Sequence, residues 1–94
     1  LLRLRAAAVV GREMPVRFRD ETGAIVERRI DRLVRENGRE LVVDYKSGTP
    51  DRERLKKDRD QVARYCRAIS TITGRECRGL LWYIDMERDV GIEV

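Results

Sequence analysis

The dipeptide Asn37-Gly38 constrains this chain more than any other feature. It separates two strand-like runs, Ala24 to Arg35 and Glu40 to Lys46, and Asn-Gly is the pair most suited to a two-residue hairpin turn with both central residues at positive φ. Such a turn fixes the register of everything that follows from it. Glu36 then faces Arg39, Val34 pairs with Leu41, Ile30 with Tyr45, and Asp31 falls opposite Asp44. Upstream, Val9 to Arg19 is rich in Val and Phe with polar interruptions, and Asp20-Glu21-Thr22-Gly23 follows as a turn. The three runs predict an antiparallel meander.

Ser47-Gly48-Thr49-Pro50 ends the third strand, and from Asp51 to Asp60 every residue except Leu55 is charged. With so little to bury, this stretch reads as a mobile loop or a solvated first helical turn. Val62, Cys66, Ile69 and Thr73 then recur at helical spacing, with Tyr65 and Ile72 beside them, and Gly74 closes an amphipathic helix. Glu76 to Asp85 carries the run Leu80-Leu81-Trp82-Tyr83-Ile84, a buried strand in which Trp82 and Tyr83 read as core, and Val90 to Val94 supplies a short last one. Strand, helix and buried strand predict a right-handed crossover that lays the new strand parallel to Glu40 to Lys46. The expected fold is α/β, a central mixed sheet made of a meander and a helix crossover.

Composition bounds the chemistry. Residues 1–94, 41% hydrophobic, support one modest core and one domain. No run of about 18 apolar residues exists, so no membrane partner is expected. There is no histidine, and Cys66 and Cys77 belong to no CxxC pattern; histidine catalysis and zinc clusters are excluded, and both thiols read as small hydrophobes in an intracellular, cytoplasmic setting. The 21 Lys+Arg against 17 Asp+Glu leave a net charge of +4, a weak lean towards nucleic acid. The chain opens at Leu1 without a signal-peptide pattern, as expected of an excerpt from a longer chain.

Two acids directly opposite one another in a sheet have Cβ atoms about 4.5 to 5.5 Å apart and destabilise it. Something must offset the repulsion between Asp31 and Asp44. Lys46, two residues beyond Asp44, projects from the same face. One reading is that these are solvated strand charges, neutralised by Lys46 or Arg29. The other is that a hard divalent cation, Mg²⁺ or Mn²⁺, sits on the two acids. Asp44 lies where the apolar strand Leu41-Val42-Val43 emerges into a loop, a usual position for site residues in α/β proteins.

Three segments in order carry a resemblance. Ile30-Asp31-Arg32-Leu33, Val43-Asp44-Tyr45-Lys46-Ser47-Gly48 and Gln61-Val62-Ala63-Arg64-Tyr65 resemble the motifs of the P-D-(D/E)-x-K nuclease superfamily, specifically the RecB-type nuclease domain at the C-terminus of UvrD- and AddA-like helicase-nucleases. The resemblance implies a restriction-endonuclease-like core and hydrolysis of DNA. It implies Asp31, Asp44 and the backbone carbonyl of Tyr45 as ligands of Mg²⁺ or Mn²⁺, with Lys46 acting on the attacking water and on charge developing at the phosphate. Gln61 and Tyr65, one helical turn apart, take a positioning role in that family. The alternative for this pair is a helix N-terminal polar residue and a core Tyr.

Glu13, in Arg12-Glu13-Met14-Pro15-Val16, resembles the E-x-P-F segment that opens the first strand of these domains, with Val16 where Phe is more usual; an exposed Glu paired with a neighbouring Arg is the alternative. Arg28 stands where the family often has Gly, on the face expected to point away from Asp31. The family also carries a helix before the first strand, of which Leu1 to Ala8 hold at most the end, so the domain is expected to be truncated at that helix. The resemblance thus implies weak metal binding or no cutting by the excerpt alone, but cutting by the full-length parent. Its implied partners are DNA, the helicase part of the same parent chain, which alone would use ATP, and possibly a second subunit. Arg64, Arg67, Lys56 and Lys57 are the candidate phosphate contacts, which bind without reading sequence; interleaved acids leave a merely solvated segment as the alternative. One rival is a domain that kept the fold but lost catalysis, a DNA-binding or protein-docking module of a helicase complex. The other is an unrelated basic α+β module.

Overall fold

The structure is a computed structural model that describes residues 8–84 and 90–94. Its elements are β1 (Ala8–Arg19), β2 (Ile25–Glu36), β3 (Arg39–Ser47), α1 (Arg52–Thr73), β4 (Cys77–Ile84) and β5 (Val90–Glu93). They form one sheet in the order β1-β2-β3-β4-β5. Pairing is antiparallel except between β3 and β4, which run parallel, so the mixed α/β sheet is the one the sequence predicts. Leu1 to Ala7, read as the end of a helix, and Asp85 lie outside the described residues; Ala8 opens β1 instead.

The turn sets the register as expected. Asn37 and Gly38 have φ of 52° and 76°, and β2 and β3 pair from Glu36↔Arg39, through Val34↔Leu41, to Arg32↔Val43. There the ladder stops, and the expected pairing of Ile30 with Tyr45 does not form. β2 continues beside β1 alone, so the two strands part at Asp31 and Asp44.

The helix covers one face of the sheet. Val62, Tyr65 and Ile69 bury against Val16, Ile30, Leu33, Val42, Leu81 and Tyr83, and Cys66 and Cys77 pack beside them as small hydrophobes. Close approach requires Gly79, where a Cβ would stand 2.3 Å from Val62 Cγ1. On the other face Val34, Leu41, Val43 and Leu80 form a smaller cluster flanked by Tyr45 and Trp82, which explains why the middle strands read as almost continuous apolar runs.

The charged stretch is helix from Arg52 onward, which corrects the expectation of a loop or a single solvated turn. Asp51 caps it by accepting from Arg54 N at 2.8 Å, and such a cap is worth about 0.5–2 kcal/mol. More decisively, the buried stripe runs back through Leu55 and Asp58. Asp58, 8% exposed as a residue, accepts from Tyr83 Oη at 2.7 Å through its carboxylate. A charged residue thus occupies a core position because a strand supplies its donor.

A second local feature lies in the first hairpin. Arg12 pairs with Arg32 and Met14 with Ile30, but the ladder skips the intervening Glu13 and Asp31. Glu13 has φ 49°, a left-handed backbone that reverses the alternation of β1. The paired β2 follows suit: Ile30 and Leu33, three apart, both face the helix. Arg28 is therefore on the helix side as well, contrary to expectation.

Candidate active site

The strand fork brings the acids together. Asp44 ends the buried run of β3 and is itself 5% exposed. Asp31, released from the ladder, uses Oδ2 to accept from Tyr45 N at 2.8 Å, so a carboxylate replaces the carbonyl that the next ladder step would have supplied. Lys46 Nζ stands 3.1 Å from Asp44 Oδ2 and donates to Gln61 Oε1 at 3.1 Å. One ammonium group thereby links the β3 acid to the helix.

This arrangement is electrostatically strained. Burial, then the neighbouring Asp31, push the Asp44 carboxyl up to about 6, although Lys46 pulls the other way. Asp44 Oδ2 is also buried without a well-directed hydrogen bond. A buried acceptor left short of donors, beside a second acid, is the environment that a hard cation relieves. The donor set suits Mg²⁺ or Mn²⁺ in being all oxygen. Among the described residues no three His, Cys, Asp or Glu side chains are placed to hold an ion together. A metal here would therefore rest on the two acids and backbone oxygen, of which the Tyr45 carbonyl is the candidate.

Beside this centre lies a cleft of about 500 Å³ between the β1–β2 hairpin and α1, whose wall includes Arg28, Lys46, Lys57, Gln61, Arg64 and Tyr65. Asp20, Glu21, Asp58 and Asp60 also line it, but Asp31 and Asp44 do not; Lys46 stands between cleft and Asp44. Tyr65 is buried at its ring, edge-on to Phe18 with centroids 6.1 Å apart, and burial followed by Asp44 raises its phenol.

The structure thus gathers Asp31, Asp44, Lys46, Gln61 and Tyr65 around one spot. Glu13 lies opposite Asp31 on β1, but its side chain is exposed and joins no three-acid cluster. Lys57 and Arg64 reach the cleft, Arg67 lies further along the helix, and Lys56 is exposed and stays outside the cleft wall. Arg28 was missed because the reversal at Glu13 has no signature in composition or spacing. Asp58 was missed although it sits three residues after Leu55 and four before Val62, the spacing of a core position.

Residues 2–93 match the PD-(D/E)XK nuclease superfamily. The chain belongs to that superfamily. It is also similar in fold to the crystal structure of SSO0001, with a TM-score of 0.68 and 24% identity over 89% of this chain. The match spans 41% of SSO0001, well under the length of that protein. No curated protein is similar enough to register as a relative.

Proposed function

We propose that this chain is a metal-dependent deoxyribonuclease, most simply an exonuclease, with Asp31, Asp44 and the Tyr45 carbonyl as the seat of Mg²⁺ or Mn²⁺. The observation that carries the reading is the buried, under-bonded Asp44 Oδ2 beside a second acid, with Lys46 3.1 Å away. A divalent ion bound there would polarise the phosphate and lower the pKa of a bound water.

The chain's own residues do the rest. The Tyr45 amide fixes the Asp31 carboxylate. Gln61 holds Lys46 from the helix side, so Nζ is kept at the border between the acids and the cleft, where it stabilises negative charge developing on a phosphate and orients the attacking water. Tyr65, edge-on to Phe18, gives the cleft its apolar side next to Lys46. Arg28, Lys57 and Arg64 add positive charge for the phosphate backbone without sequence reading. The three RecB-like motifs further support a nuclease module of a DNA repair or recombination helicase, whose motor, and ATP, belong to the rest of the parent protein.

The test is DNA degradation with and without Mg²⁺ or Mn²⁺. The full-length parent cuts only with metal, and Asp44→Ala and Lys46→Ala in it abolish cutting; persistent cutting by both variants removes the site. The absence of a third clustered acid among the described residues favours one rival, a binding module without catalysis. That rival predicts no heat of Mn²⁺ binding that Asp44→Ala abolishes.

A further inference from the structure

A second cleft of about 480 Å³ adjoins the first and is lined by Arg17 and Arg19 from β1 and by Arg64 and Arg67 from α1. Phe18, Asp20, Glu21 and Arg64 belong to both walls, so the clefts are continuous past the β1–β2 turn. Nothing in the catalytic reading uses Arg17 or Arg19. We propose that this second cleft holds one or two nucleotides of the single strand whose phosphodiester lies at Lys46, binding their phosphates through the four arginines.

Four observations favour this occupant. The acids there do not cancel the arginines equally. The Asp20 carboxylate is taken up inside its own turn, accepting from Thr22 N at 2.9 Å, Thr22 Oγ1 at 2.6 Å and Ala24 N at 3.1 Å. Of the two acids, Glu21 is the one with an ion pair to an arginine of this cleft, at 3.3 Å from Arg64, and its side chain is 68% exposed. An exposed pair of this kind is worth about 0–1 kcal/mol, so a phosphate readily replaces Glu21.

The cleft also has an apolar floor. Phe18 and Ala68 line it with Ile72, which stays 67% exposed although it is a large hydrophobic residue. A ligand with anionic groups and flat apolar faces matches both halves of the lining, as nucleotides do. Size decides between single strand and duplex. Pockets of roughly 300–1,000 Å³ take a drug-sized molecule, so this one admits a nucleotide or two of one strand. Arg19 is already placed for the task, donating to Gly23 O at 2.9 Å, which ties its guanidinium to the turn.

The inference deepens the nuclease reading by assigning the substrate's form and path, and its test is independent of cutting. Binding of a labelled single strand of about a dozen nucleotides to the full chain is followed by fluorescence anisotropy in EDTA, from about 50 to 200 mM salt. Arg17→Ala/Arg19→Ala should weaken binding about tenfold or more, and the slope of log affinity against log salt should become shallower by about 0.7 for each phosphate no longer neutralised. The Arg17→Lys/Arg19→Lys pair, which keeps the charge, should recover most of the affinity. Arg78→Ala on β4, away from both clefts, should leave binding as in wild type. The assignment is overturned if the double alanine variant binds like wild type or like Arg78→Ala, or if a duplex of equal length binds more tightly than the single strand. Failure of the full-length parent to cut with Mn²⁺ would overturn the proposed catalysis while leaving this binding result intact.

Discussion

Replacing Asp44 by Asn should stabilise the metal-free protein at neutral pH. In most domains an Asp is held below its ordinary value by partners, and its loss costs stability. Here the direction is reversed, because the folded protein raises Asp44 from 3.8 to about 6. The folded state therefore binds the proton more tightly than the unfolded chain. Stability tied to this group is complete below pH 3.8, declines as pH climbs towards 6, and is gone above it. A shift of about two units corresponds to an upper bound of about 3 kcal/mol at 1.36 kcal/mol per unit. Asn removes the charge while keeping the shape. The expected gain is about 1–3 kcal/mol at pH 7.5, shrinking towards zero near pH 4, and each kcal/mol raises Tm by about 4–8 °C in a domain of this size. Urea denaturation with EDTA at several pH values measures it. Excess Mn²⁺ should then raise the wild-type midpoint and leave that of the variant nearly unmoved. A variant less stable than wild type at pH 7.5, or a gain that does not shrink in acid, would refute the account of a strained carboxylate.

Lys46→Met should abolish cutting yet bind Mn²⁺ at least as tightly as wild type in calorimetry, since the ammonium 3.1 Å from Asp44 Oδ2 repels an incoming cation; weakened binding would contradict that geometry. Tyr83→Phe should cost about 1–3 kcal/mol in chemical denaturation by leaving buried Asp58 without its phenolic donor. Gly79→Ala should destabilise by about 1–3 kcal/mol through its collision with Val62 Cγ1, and Val62→Ala in the same chain should cost less than the sum of the two changes. Additive effects would mean that helix and strand do not touch at that point.

Most of the sheet was legible because its signals are local. Asn37-Gly38 sets the β2–β3 register through backbone preference alone, and the apolar run of β4 needs cover on both faces wherever it lies. The acid pair was legible in part: that register leads up to Asp31 and Asp44, but the ladder ends at Arg32↔Val43 and Asp31 accepts from Tyr45 N instead. What escaped depends on interactions between distant segments. The charged start of α1 is helical because Tyr83, 25 residues beyond Asp58, donates into it, and hydropathy treats Asp58 as solvated. Arg28 faces the cleft because Glu13 adopts a left-handed backbone on another strand, which no residue preference announces.

The hairpin tip acts as a remote adjustment screw for the proposed catalytic centre. Asp31 lies six residues from Asn37, roughly 20 Å at about 3.3 Å per residue, and Asn37 and Gly38 line neither cleft. Yet a single inserted residue there would slide β3 by one step and turn Asp44 and Lys46 to the opposite side of the sheet, away from Gln61. Damage at a solvent-exposed loop would thus read out as lost chemistry in a protein whose core remains filled.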